Sequence, residues 1–245
     1  MRNIKLVIEY DGKDFNGWQK QPNKLNIQGT IEKAIETITG EKVDLMASGR
    51  TDAGVHAFGQ VANFKTNSNI PIDKFAIAIN SNLKKSILIK SAEEVEENFH
   101  SRLKCKRKTY RYIINNSKYG TAIYRNLETH IPVKLNVDKM QKAVKYFEGE
   151  HDFKAFKASG TSSKSSVRII YKAEVIKKEE ERIFIELTGS GFLYNMVRII
   201  SGTLVDVGLG KILPEEIPNI IKSQKRENAG KTLPPQGLYL MKVEY

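Results

Sequence analysis

The apolar residues of this chain keep switching between a two-residue and a helical period, and that switching restricts the folds open to it. Ile4, Leu6, Ile8 and Tyr10 alternate with Lys5, Val7 and Glu9, the pattern of a half-buried strand ending at Asp11-Gly12. Ile27, Ile31, Ala34, Ile35 and Ile38 then recur at helical spacing, with Gly40 where a C-terminal cap belongs. Lys42-Val43-Asp44-Leu45-Met46 has a strand's composition, and so does Gly59-Gln60-Val61-Ala62-Asn63-Phe64-Lys65. Pro71 opens a second helix reaching Ile79, and Ser86 to Lys90 forms another strand. The order is strand, helix, strand, strand, helix, strand.

The second half nearly repeats it. Lys108 to Asn115 reads as a strand, and Val137 to Phe147 as a helix with Val137, Met140, Val144 and Phe147 on one face. Val167 to Lys177 and Arg182 to Thr188 form a hairpin around Glu179-Glu180. Phe192 to Val207 is a long apolar helix, Pro214 to Ser223 a shorter one, and Gly237 to Tyr245 a closing strand. No residue-level repeat is visible, but the element order recurs. This predicts an α+β fold of two similar halves, each a mainly antiparallel sheet backed by helices, with a cleft between them. Arg102, Lys104, Lys106, Arg107 and Lys108 crowd at the junction, which puts the halves at 1–103 and 104–245.

Charge narrows the partners. The 245 residues carry 40 Lys and Arg against 28 Asp and Glu, a net +12. That excess either solubilises the surface or serves a polyanion through phosphate contacts and counterion release. A single cysteine, Cys105, excludes an internal disulfide and a cysteine-cluster zinc site. His56, His100, His130 and His151 are scattered without metal-ligand spacing, so no metal is expected. Gly208-Leu209-Gly210-Lys211 lacks the spacing of a phosphate loop, and there is no dinucleotide fingerprint. Strand alternation begins at residue 4, and nothing approaches the ~18-residue apolar run of a membrane helix. A cytoplasmic protein is expected. Lys157 to Ser166 is a low-complexity stretch, either a solvated linker or a loop that orders against a bound polyanion such as a nucleic acid.

Between two strand-like segments lies Ser48-Gly49-Arg50-Thr51-Asp52-Ala53-Gly54-Val55-His56-Ala57, where no packing pattern asks for such residues. Glycines there permit positive φ or a close backbone approach, and a loop on a rigid sheet is a common seat of function. Asp52 can stabilise a turn. It can also, ionised and partly desolvated with Arg50 as charge partner, act as nucleophile or general base. The chain offers no Ser-His, Cys-His or metal arrangement as an alternative. His56 can fix the loop through a ring hydrogen bond or transfer a proton. Tyr110, at one strand parity with Tyr112, can pack or stack on a base, a contact worth about 1–3 kcal/mol, while Tyr112 is read as packing. Arg198, alone among Val197, Ile199 and Ile200, must either be paired or snorkel to the surface.

The run GRTDAGVHA followed by GQV resembles the active-site signature of the TruA-type tRNA pseudouridine synthases. The resemblance continues through Lys108-Thr109-Tyr110-Arg111-Tyr112 and Gly191-Phe192-Leu193-Tyr194-Asn195-Met196-Val197-Arg198. Tyr10-Asp11-Gly12, Phe15-Asn16-Gly17-Trp18-Gln19 and Gly237-Leu238-Tyr239-Leu240 also fit, so it covers essentially the whole chain. It implies an isomerase that turns uridine into pseudouridine at positions 38, 39 and 40 of the tRNA anticodon stem-loop, without a cofactor. The cleft would be catalytic and Asp52 the catalytic nucleophile, with attack at C6 of the base, attack at C1′ of the sugar and a glycal route all open. Tyr110 would contact the target base, and Arg198 would pair with the aspartate. Arg50 would fill the gap left by a flipped base. The basic cluster at 102–108 would position phosphates. The resemblance also implies a homodimer on tRNA. Two other readings stand beside it: a paralogue with the same chemistry on other tRNA positions or another RNA, and a non-catalytic RNA-binding module.

Overall fold

The computed structural model describes residues 1–160, 165–179 and 181–245. Residues 161–164 and Glu180 lie outside them, and with them part of the low-complexity stretch and of the hairpin turn. The chain divides into two compact units, Met1–Lys106 with Tyr239–Tyr245, and Arg107–Leu238. The C-terminal strand, which the sequence order groups with the second half, thus falls mainly in the first unit.

In the first unit, strand β1 (Arg2–Tyr10) buries Ile4, Leu6, Ile8 and Tyr10 on one face. Helix α1 (Ile27–Thr39) follows. Asn26 caps it by accepting a hydrogen bond from the Gly29 N–H at 2.8 Å, and Gly40 ends it at φ 72°. Strands β2 (Met46–Ala47) and β3 (His56–Thr66), helix α2 (Ile72–Asn80) and strand β4 (Ile87–Val95) complete the series. The order strand, helix, strand, strand, helix, strand is the one expected. β1 runs antiparallel between β3 and β4, while β2 and the C-terminal strand (Leu238–Glu244) both pair with β3. α2 packs on β4, and Phe75 sets its ring edge against Phe64 of β3 at 6.1 Å.

Of the strand expected over Lys42–Met46, only Met46 falls in β2. The Leu45 N–H is taken at 2.9 Å by the Glu32 carboxylate of α1 rather than by a neighbouring strand. A side chain won that donor, so the ladder starts later.

The second unit holds strands β5 (Arg107–Asn115), β6 (Thr129–His130), β7 (Gly149–Asp152), β8 (Val167–Lys177) and β9 (Arg182–Gly189). β5, β9, β8 and β7 pair antiparallel in that order, and β6 joins β5 in parallel. Helix α3 (Val137–Val144) tightens into a 3₁₀ turn at Lys145–Phe147, and α4 (Met196–Gly208) and α5 (Ile217–Ser223) follow. Apart from Arg198 and Asp206, every residue of α4 is buried, as expected of a mostly apolar helix. It starts four residues later than Phe192. Asn195 sits at φ 59°, ψ 7°, a left-handed conformation that cannot belong to a right-handed helix.

The protein is therefore a mixed α/β fold. Among the described residues no helix is long and apolar enough to cross a membrane, and no His, Cys, Asp or Glu cluster could hold a metal ion.

Candidate active site

Asp52 lies on the loop joining β2 to β3. The Val55 N–H donates to the Asp52 carbonyl at 3.1 Å and Gly54 has φ 76°. Residues 52–55 thus form a β-turn whose third position needs positive φ, which glycine meets without strain. The Asp52 side chain is half-buried.

Both flanks of Arg50 are tied into the core. Ser48 Oγ donates to Gln60 Oε1 at 2.7 Å, and Gln60 Nε2 donates to the Gly49 carbonyl at 2.9 Å. On the other side, the Trp18 N–H donates to the Thr51 carbonyl at 3.0 Å, and the Tyr10 and Thr51 hydroxyls are 2.7 Å apart. Gln60 and Tyr10 are buried. Burial pushes the Tyr10 pKa up, outweighing the hydrogen bonds from Thr51 and Gln60 that favour the phenolate, so its hydroxyl keeps its proton. With Ser48 and Thr51 drawn inward, Arg50 between them is exposed. Among the described residues its guanidinium forms no ion pair, so the charge pairing with Asp52 expected from their spacing is not made.

The segment after β1 walls the loop. A Cβ on Gly12 would lie 2.0 Å from the Val55 carbonyl oxygen, and one on Gly17, at φ 84°, would lie 2.6 Å from that of Thr51. Only glycine admits so close an approach, which explains why Asp11-Gly12 and Asn16-Gly17-Trp18 belong with a loop far along the chain. His56 fixes the loop's exit. Its buried ring accepts the Gly12 N–H at Nδ1, 3.1 Å away, and stacks on Tyr239 at 4.8 Å. The same nitrogen lies 3.1 Å from Asp11 Oδ1.

In the second unit, Tyr110 pairs with Leu187 across β5 and β9 and is 8% exposed, with its ring edge-on to Phe192 at 5.0 Å. Tyr112 packs fully inside. Its hydroxyl lies 2.6 Å from Thr129 Oγ1 and donates to the Pro234 carbonyl at 2.7 Å. Arg198 does not simply snorkel outward. Its Nε donates to the Leu233 carbonyl at 2.7 Å and its Nη1 to Asn195 Oδ1 at 2.6 Å. Arg50 and Asp52 therefore share one loop of the first unit, while Tyr110 and Arg198 stand on β5 and α4 of the second. Sequence reasoning gave no part in the site to Tyr10, Gln60 or Asn195. Each sits inside a stretch that carries the resemblance, and that was the available signal.

The model of a family described as tRNA pseudouridine synthase matches residues 6–103 and 143–245. Curated proteins called tRNA pseudouridine synthase A from Acetivibrio thermocellus and Caldicellulosiruptor bescii are each 54% identical over 245 residues, covering all of both chains. A tRNA pseudouridine synthase A 2 from Clostridium perfringens is 51% identical over the same full length. Among solved structures, the archaeal box H/ACA sRNP Nop10-Cbf5 complex matches at a TM-score of 0.36 and 11% identity. That match covers 97% of this chain and 46% of the other, a likeness too slight to argue from. The sequence matches make the chain an RNA-modifying enzyme, an isomerase. It belongs to the tRNA pseudouridine synthase family, in its TruA-type branch.

Proposed function

We propose that the enzyme converts uridine to pseudouridine at positions 38, 39 and 40 of the tRNA anticodon stem-loop, with Asp52 as nucleophile. The observation that carries this is the build of the loop: a half-buried carboxylate follows anchored Thr51, beside an exposed Arg50 without an ion pair among the described residues. A carboxylate held in place loses little freedom when it reacts. In the reaction the bond from C1′ to N1 breaks and one from C1′ to C5 forms. C5 gives up a proton and N1 takes one, so atoms balance without redox change or co-reactant.

Stem uridines must leave the stack before their glycosidic bond is reachable. Arg50 takes the place of the extruded base, Tyr110 lies against that base, and Arg198 supplies positive charge to the reaction. The exposed Arg102, Lys104, Lys106 and Arg107 contact phosphates. The enzyme works as a homodimer in the cytoplasm. Pseudouridine mapping on unmodified tRNA transcripts tests the reading, with wild-type protein and Asp52→Asn side by side. New pseudouridine at 38–40 with wild type alone is expected. Modification elsewhere would keep the chemistry and replace the substrate assignment, and product from folded Asp52→Asn would remove the nucleophile.

A further inference from the structure

Asn195 is one of few non-glycine residues in the left-handed region, at φ 59° and ψ 7°, and it directly precedes α4. A residue at that position ordinarily turns its side chain onto the first N–H groups of the helix. Asn195 makes no such cap. Its Oδ1 instead accepts from Arg198 Nη1 at 2.6 Å, while the Leu233 carbonyl accepts from Nε at 2.7 Å. A guanidinium can only donate, so the amide must present its oxygen. Two acceptors on two different atoms of one planar group fix both its position and its plane. Strain of this kind beside a functional side chain points to a role for that side chain.

We propose that Asn195 is a positioning residue: its side chain, not its backbone turn, holds the Arg198 guanidinium in its working orientation. The inference rests on the role proposed for Arg198. If the left-handed turn were the whole purpose, glycine would serve better, since it adopts this conformation without strain. Asn195→Gly therefore separates the turn from the amide.

The test is steady-state kinetics on a tRNA transcript with Asn195→Gly, Arg198→Ala and the double variant, alongside tRNA binding and thermal melting. Asn195→Gly is expected to stay folded, with a single cooperative melting transition, and to bind tRNA within about twofold. Its kcat should fall at least about tenfold with KM little changed, the kind of loss that misplacing a working group causes. The double variant should be no slower than Arg198→Ala, because the amide acts only through the arginine. Wild-type kcat in Asn195→Gly, with Arg198→Ala impaired, would overturn the positioning role alone. Wild-type kcat in Arg198→Ala would overturn the role of Arg198, and the inference with it.

Discussion

Tyr10 ends the first strand with its ring buried and its hydroxyl on Thr51, the residue before Asp52. Tyr10→Phe keeps the ring's volume and deletes that contact, so a stability loss of about 1 kcal/mol is expected in urea unfolding. Turnover should fall several-fold more than tRNA affinity, because the lost bond steadies the loop and touches no phosphate. Equal falls in both would mean that the hydroxyl serves binding. Gly12→Ala is a harsher change, since the added Cβ meets a backbone oxygen that no rotamer can move. A loss of about 1–3 kcal/mol or more is expected from such overpacking, read as a lowered melting temperature. At this scale Arg50, Asp52 and Arg198 were legible as residue types out of keeping with their surroundings, whereas Tyr110 became a candidate through the resemblance. Their supports were not. Tyr10 and Thr51 are 41 residues apart, and nothing in either neighbourhood names the other.

Helix α4 shows how an element carries a side chain to its place. A Cβ on Gly202 would stand 1.9 Å from the Lys231 carbonyl oxygen, so the helix and residues 231–233 touch backbone to backbone. Gly202→Ala should push that segment away, lower the melting temperature by an amount matching about 1–3 kcal/mol or more, and shift the Leu233 carbonyl that holds Arg198. Activity should then drop beyond what the unfolded fraction explains, as measured by kcat on protein confirmed to be folded. By contrast, Asn26→Ala removes the cap of α1 and the bond from its Nδ2 to the Lys24 carbonyl, both far along the chain from the candidate residues. It should cost about 1 kcal/mol in urea unfolding and leave kcat of the folded protein unchanged. The periodicity located α1, α2 and the main strands, because each buries one regular face. It overran the start of α4, since Phe192 and Leu193 continue the apolar pattern while Asn195 turns the backbone left-handed. It likewise overran β2, where the Glu32 carboxylate took a ladder donor.

On the scale of the whole molecule, the net charge of +12 makes a long-range claim. If the partner is tRNA bound through phosphates, affinity should fall steeply and log-linearly with salt, by about 10³ or more between 50 and 200 mM for six or more contacts. A shallow slope would assign the lysines to solubility. Asp52→Asn should follow the same salt line as wild type while losing turnover, since one neutralised carboxylate is a small part of a multi-phosphate surface. The charge, the Asp52 loop, the family and the period of most strands and helices were readable from the sequence alone, because each is a local property written in neighbouring residues. What braces them was set by contacts between distant parts of the chain. The fold set Gly12 and Gly17 against the Asp52 loop, brought Tyr239 of the C-terminal strand onto His56, left Arg50 outward and turned the Asn195 amide onto Arg198. Those choices depend on backbone approach and hydrogen-bond geometry between residues distant in the chain, and local periodicity carries no record of them.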